Sequence, residues 1–254
     1  MTFAVVQLSD CHLGATWGGG PTRALEAAIT AVSELLADPA AAVLVTGDIA
    51  HTGADAEYEQ ARALIERLNA PIFAVPGNHD DRARLRRHFR LPETGRADLS
   101  YAADLGGVRL IALDTQDPGR DAGRFDSERQ RWLTAALAED SDTPALLAMH
   151  HPPLLTGVPA MDDIGLPAED RQALAQIVGR HPNVQLIAAG HVHRLITATI
   201  GGAVLVAIPS TTLQIALDFV DPDLRLVSEP PCVAIHLLVD GRLVTHIASV
   251  SSTG

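Results

Sequence analysis

The chain has 254 residues, with 19 basic and 31 acidic side chains and a formal charge of −12. With 47% hydrophobic and 20% charged residues it has the composition of a folded globular protein, which excludes wholesale disorder, and the length favours one compact α/β domain spanning 1–254. The acidic balance argues against a duplex nucleic acid partner, whose phosphates are held by basic side chains, but leaves room for a small phosphate ester held by metals.

In chain order, an apolar run over 3–8 predicts a buried strand, and helical spacing over 21–36 predicts a helix opened by Pro21. A second strand over 42–46 stops at Gly47-Asp48, a second amphipathic helix covers 54–68, and a third strand over 72–75 stops at Pro76-Gly77-Asn78-His79-Asp80. This alternation means βαβ units with largely parallel pairing. Strands over 100–103 and 108–113 flank Gly106-Gly107 as a hairpin. A helix (127–137), a strand (145–149), a helix (167–178) and a strand (184–188) follow. Beyond Leu195, short apolar strands broken by Gly and Pro read as antiparallel hairpins completing a second sheet, with an excursion at about 209–235.

Histidine is the residue in surplus: 11, against five Phe, two Trp and two Tyr. It is useful as a ligand or proton carrier. Every apolar strand of the α/β part ends in a polar cluster: Asp10-Cys11-His12, Gly47-Asp48, Gly77-Asn78-His79-Asp80, His150-His151 and Gly190-His191-Val192-His193. The carboxyl ends of strands in such sheets gather at one crevice, so five segments deliver Asp, His and Asn to one place. Asp10-x-His12 or Gly47-Asp48 alone would be an ordinary loop; the ordered set, each member after a predicted strand, is not. Imidazole and carboxylate donors suit Zn, Fe, Mn, Co or Ni. Seven or eight ligands exceed one tetrahedral ion and suffice for two, the usual device for displacement at phosphorus. Cys11 and Cys232 cannot make a disulfide framework or a four-thiolate zinc site.

These motifs resemble the calcineurin-like metallophosphoesterase superfamily, whose ordered pattern is D-x-H, G-D, G-N-H-[DE], a single His and G-H-x-H. Gly77-Asn78-His79-Asp80-Asp81-Arg82, Leu113-Asp114-Thr115, His150-His151-Pro152-Pro153, Gly190-His191-Val192-His193-Arg194 and Glu229-Pro230-Pro231 extend the likeness toward bacterial class III cyclic nucleotide phosphodiesterases and related glycerophosphodiesterases. The resemblance implies a four-layer α/β/β/α sandwich with two mixed sheets. It implies two metal ions, Mn2+ and/or Fe with Zn2+ or Co2+ as alternatives. Asp10, His12 and His193 would bind the first ion, Asn78, His150 and His191 the second, and Asp48 would bridge them. A hydroxide shared by the ions would attack phosphorus, with His79 catalytic at the phosphate or leaving oxygen and Asn78, His79 and His151 contacting substrate. The substrate would be a small phosphodiester, cyclic nucleotides such as cAMP first, with a glycerophosphodiesterase or broad phosphoesterase as the alternative. A non-catalytic scaffold of the same fold is disfavoured because every ligand and the catalytic His are kept. A homodimer is compatible with the family.

The chain departs from the Ser/Thr phosphatases of the superfamily, which read G-D-x-V-D-R-G. His51 stands where their second Asp orients the catalytic His, and Thr52 where their Arg grips a dianionic phosphoryl group. A monoanionic diester loses less from the missing Arg. His51 then either orients His79 or lies on the surface. His151 either lines the pocket or packs beside Pro152-Pro153. Cys11 is expected to pack, and the loop over 156–166 to overhang the site. Arg82, Arg84, Arg86, Arg87 and Arg90 crowd one short helix, as a face paired with nearby acids or as an anion-steering edge. No basic leader precedes the first strand and no apolar run approaches ~18 residues, so a soluble cytoplasmic protein without a membrane partner is expected.

Overall fold

The computed structural model describes residues 3–17 and 20–250; Met1 and Thr2, which precede the first predicted strand, lie outside it. The elements are β1 (Ala4–Leu8), α1 (Pro21–Leu35), β2 (Ala42–Val45), α2 (Asp55–Ile65), β3 (Ile72–Ala74), α3 (Arg82–Phe89), β4 (Tyr101–Asp104), β5 (Arg109–Ala112), α4 (Ser127–Ala138), β6 (Ala145–Ala148), α5 (Pro159–Asp162), α6 (Ala168–Gly179), β7 (Val184–Ala189), β8 (Ile196–Ile200), β9 (Ala203–Ala207), β10 (Gln214–Ile215), β11 (Leu226–Val227), β12 (Cys232–Val239) and β13 (Arg242–Ser249). None of these helices is long and apolar enough to cross a membrane.

The strands form two mixed sheets and a two-stranded ribbon, β10-β11. The first sheet runs β13-β12-β1-β2-β3, with β1, β2 and β3 parallel. The second runs β4-β5-β6-β7-β9-β8, with β5, β6, β7 and β9 parallel and β4 and β8 antiparallel at its edges. Side chains alternate across each strand. Leu110, Leu146, Leu186 and Val206 thus join Val5, Ala42, Leu44 and Ala234 in the core between the sheets. Their neighbours Ile111, Leu147, Ile187 and Leu205 pack instead under Leu133, Leu137, Leu174 and Ile177 of α4 and α6. Leu25, Ile29, Tyr58 and Ile65 bring α1 and α2 onto the first sheet, which completes the four-layer α/β/β/α order.

Two expectations change. The last hairpin, β12-β13, does not complete the second sheet; β12 pairs antiparallel with β1 in the first. Its buried face, Cys232 to His236, covers an edge of β1 that would otherwise expose a row of backbone donors and acceptors. The helix over 54–68 also ends early: α2 gives way to a 3-10 turn at Glu66–Leu68, closed by Asn69 in the left-handed region (φ 51°).

A buried polar bridge joins the sheets. The Gln7 amide donates to Ala189 O (3.0 Å) and Thr46 Oγ1 (2.9 Å), so Gln7 Oε1 must accept from His236 Nε2 (3.0 Å). His236 Nδ1 then accepts from the Thr245 hydroxyl (2.8 Å). Burial holds this neutral imidazole at about 3. An unfolded His titrates near ~6.5, so this contribution to stability is complete above that pH and is lost as pH falls toward 3. Between pH 7 and 5, His236→Gln is therefore expected to flatten the fall in unfolding free energy by up to ~1.4 kcal/mol per pH unit, read by urea denaturation. Equal slopes in both proteins would overturn this role.

Candidate metal centre

The carboxyl ends of five parallel strands meet at one edge of the sandwich. β1 delivers Asp10 and His12, β2 delivers Asp48, β3 delivers Asn78 and His79, β6 delivers His150, and β7 delivers His191 and His193. Every ligand-type residue expected from the sequence is thus in the same crevice. Asp10, His12, Asp48, His150, His191 and His193 are buried, while Asn78 and His79 are half-buried.

The backbone is bent to aim them. Among the described residues eight non-glycine positions have positive φ, and five are Asp10 (52°), His12 (46°), Asp48 (49°), His191 (69°) and His193 (47°). Each such left-handed residue costs about 1–3 kcal/mol, and such strain clusters where geometry serves function. The motif glycines have a different reason. A Cβ on Gly77 would lie 2.1 Å from Asp48 Oδ1, and one on Gly190 would lie 2.1 Å from Ser9 Oγ and 2.8 Å from Asp10 Oδ2. These positions are Gly because carboxylates approach the backbone there.

Hydrogen bonds fix which ring atom faces the centre. His150 Nδ1 donates to Thr46 O (2.8 Å) and His193 Nδ1 to Leu213 O (2.7 Å), leaving each Nε2 lone pair inward. His191 Nε2 donates to Ile164 O (3.1 Å), leaving Nδ1. Main-chain carbonyls thus set the tautomers of three imidazoles, as acceptors behind metal ligands commonly do. Asp10 accepts from Ser9 Oγ (2.6 Å) and His191 N (3.1 Å).

The inward atoms form two groups around one oxygen. His12 Nε2 lies 3.2 Å from His193 Nε2, which is 3.4 Å from Asp10 Oδ1. His150 Nε2 lies 3.2 Å from Asn78 Oδ1. Asp48 Oδ2 is 3.6 Å from His12 Nε2 and 3.5 Å from His150 Nε2. Donors about 2.1 Å from a common ion lie about 3.4 Å apart in a tetrahedron, so these spacings fit metal coordination. Charge agrees. Burial alone would raise Asp48, but His150 and His12 hold it well below the usual carboxylate range. Burial would lower His150, but Asp48 outweighs it and pushes the imidazole up to about 9. Burial keeps His12 neutral, at about 3. Two buried carboxylates draw positive charge into this cluster, onto the His150 imidazole here, and so make a site for cations.

His79 borders the first group, its ring 4.8 Å from that of His12. Its Nδ1 donates to His51 O (2.8 Å), its main-chain N–H donates to Asp48 Oδ1 (2.9 Å), and its ring stacks on His51. The acceptor that Ser/Thr phosphatases supply with an Asp side chain comes here from the main chain of the residue in its place. Thr52 is committed within its own loop: its N–H and hydroxyl donate to Glu57 (2.9 and 2.8 Å).

Asp80 ties this loop down, accepting from Gly77 N (2.9 Å), Ala50 N (3.1 Å), Ile49 N (3.4 Å) and the Tyr58 hydroxyl (3.1 Å). Gln116 adds a second clamp, donating to Gly77 O (2.8 Å) and Asp80 O (2.6 Å). Gln116 O in turn accepts from Arg82 and Arg129, and Arg82 forks onto buried Asp114. Leu113-Asp114-Thr115 therefore braces the site from behind. Arg84 and Arg87, with His88, pair with Asp55, which decides for the paired reading of that helix at those positions.

His151 is fully buried, its Nδ1 meets Thr115 Oγ1 (2.9 Å) and its Nε2 donates to Asp121 O (3.0 Å). With both nitrogens engaged, its ring packs against those of His150 and His191, which favours the packing reading over the pocket-lining one. Cys11 is buried and its thiol is pushed up to about 12 by burial, a packing role. Arg194 forks onto Glu229 (2.5 and 3.0 Å), tying the strand-end loop to the segment after β11. Sequence reasoning passed over Trp17, whose ring lies 5.3 Å from that of His12 and 4.7 Å from that of His51. Its only sequence signal is that it is one of two tryptophans, set just before Gly18-Gly19-Gly20.

Comparison with known proteins agrees with this geometry. A family model described as calcineurin-like phosphoesterase matches residues 3–195. The chain is 31% identical to a probable glycerophosphodiester phosphodiesterase GpdQ of Arcobacter nitrofigilis, over 97% of this chain and 93% of the relative. It is also 31% identical to the 3′,5′-cyclic adenosine monophosphate phosphodiesterase CpdA of Pseudomonas aeruginosa, over 97% and 89%. The fold matches a dimetal phosphatase from Danio rerio with a TM-score of 0.75 at 16% identity, covering 99% of each chain. The chain belongs to the calcineurin-like phosphoesterase family, whose enzymes work through a dinuclear metal centre.

Proposed function

We propose that this protein hydrolyses small phosphodiesters, cyclic nucleotides first, at a centre of two metal ions. It is a metal-dependent hydrolase of phosphodiester bonds: the relatives GpdQ and CpdA are phosphodiesterases by name, and each aligns over 97% of the chain. Asp48 carries the two-ion reading, because its Oδ2 lies within 3.6 Å of donors from both groups. In this reading Asp10, His12 and His193 hold one ion, Asn78, His150 and His191 hold the other, and Asp48 is shared. Imidazole and carboxylate donors suit Mn2+ and Fe, and accept Zn2+ or Co2+.

Bound there, such ions supply Lewis acidity and ionise water near neutral pH. The protein's own part is positioning and proton delivery. Asp48 Oδ1 fixes the His79 backbone, His51 O holds Nδ1, and His79 Nε2 remains to protonate the departing ester oxygen. Asn78, half-buried beside it, reaches the phosphate from the same loop. Diesters are favoured over monoesters because the arginine that grips a dianion is replaced by Thr52, which is committed to Glu57.

The test loads the protein with Mn2+ and compares bis(4-nitrophenyl) phosphate, 4-nitrophenyl phosphate, cAMP, 2′,3′-cyclic AMP and glycerophosphocholine. Diester turnover is expected to exceed monoester turnover by ~10-fold or more, the weight of one lost charge-assisted clamp. Faster monoester turnover would overturn the diesterase reading. A higher kcat/KM on glycerophosphocholine than on either cyclic nucleotide would replace the cyclic nucleotide assignment by the glycerophosphodiester one.

A further inference from the structure

On the accessible side of the centre three aromatic rings form a continuous wall. The His51 imidazole stacks on His79 with centroids 5.0 Å apart and planes 20° apart. Trp17 meets His51 at 4.7 Å and 69°, and borders the buried His12 at 5.3 Å. Trp17, His51, Asn78 and His79 are half-buried, whereas the six remaining ligand-type residues are buried. The wall is therefore the part of the centre nearest solvent among these residues.

Trp17 is not accounted for by folding. Among the described residues it belongs to neither hydrophobic core. Its Nε1 is buried without a hydrogen-bond partner among the described residues. A buried tryptophan N–H is usually paired, and an indole outside the core gives up much of its burial advantage. Its neighbours, by contrast, are the residues that would handle the ester.

We infer that Trp17 and His51 form a stacking surface for a planar ring carried by the substrate, a nucleobase rather than a glycerol headgroup. The inference rests on the phosphodiesterase reading above, in which the departing oxygen lies at His79. The group joined to that oxygen then runs over His51 toward Trp17. Aromatic faces hold any base by stacking, and offer an alkyl headgroup no comparable partner.

The test has a binding arm and a kinetic arm. With only two tryptophans in the chain, Trp132→Phe leaves Trp17 as the sole indole reporter; Trp132 lies on α4 against Arg96. In the Zn2+-loaded Trp132→Phe protein, AMP is expected to quench the fluorescence saturably. Glycerol 3-phosphate should displace AMP without quenching. Absence of saturable quenching by AMP would overturn the inference. In the kinetic arm, Trp17→Ala should lower the ratio of kcat/KM on cAMP to that on glycerophosphoethanolamine by about 10-fold, chiefly through KM, the scale of one base–aromatic stack. Trp17→Phe should restore most of it. Equal loss on both substrates would mark a merely structural tryptophan and leave the phosphodiesterase reading standing. A wild-type protein that cleaves no diester would overturn that reading instead, while the quenching arm still judges the wall.

Discussion

Asp48→Asn is expected to lower diester turnover by on the order of 10³-fold or more and to leave fewer than two tightly held ions per chain. The substitution keeps volume and shape, so only the chemistry of one oxygen changes. Asp48 Oδ1 accepts from the His79 main-chain N–H at 2.9 Å. An asparagine oriented to keep that bond turns its NH2 into the place of Oδ2. That place lies between His12 Nε2 and His150 Nε2. A donor then faces two imidazoles whose lone pairs should meet cations, and the shared oxygen is gone. The opposite orientation restores an oxygen toward the ions but sets NH2 against the His79 N–H, which disturbs the loop carrying Asn78. Neither orientation serves both ions. Metal analysis after loading and desalting, with rates on bis(4-nitrophenyl) phosphate, checks this directly. Two ions per chain with turnover within ~10-fold of the parent would refute the shared role of Asp48.

The shared crevice was legible because each candidate residue follows an apolar strand, and parallel strands bring those ends to one edge. Residue type and order alone gather the Asp, His and Asn side chains there; the choice of Asp10, His12, Asp48, Asn78, His150, His191 and His193 as candidate ligands comes from the family resemblance. What orients them was not legible. Thr46, Leu213, Ile164 and His51 act through main-chain carbonyls, which every residue possesses, so their side chains give no sign of the role. The left-handed backbone at Asp10, His12, Asp48, His191 and His193 was hidden for a related reason: positive φ is normally signalled by Gly, and here the donor itself had to occupy the bend. His151 shows the converse. It matches a ligand in type and is adjacent to one in sequence, yet neighbouring residues on one chain point in different directions, and its ring is held by Thr115 and Asp121. The placement of β12 depended on long-range pairing. Its apolar run suits either sheet; the buried polar bridge from His236 to Gln7 lies in the first.

His79→Ala separates chemistry from metal binding, because the bond between this residue and Asp48 is made by its main chain and survives the substitution. Asn78 and Asp48 therefore keep their places and metal content should stay close to that of the parent. Turnover should fall by about 10²–10⁴-fold on cAMP, the usual range for loss of a positioned proton donor. The substrate dependence is the sharper reading. A 4-nitrophenolate leaves without help, whereas a ribose alkoxide needs its proton at the moment of departure. The loss should then be at least ~10-fold smaller on bis(4-nitrophenyl) phosphate than on cAMP, since proton transfer helps most where the leaving group is most basic. His51 O holds Nδ1, so Nε2 is the atom that delivers this proton, and His79→Gln, which has no imidazole to cycle, should behave like the alanine variant. An equal loss on both substrates with metal retained would assign His79 to holding the phosphate. Loss of metal together with activity would show instead that the ring itself supports the centre.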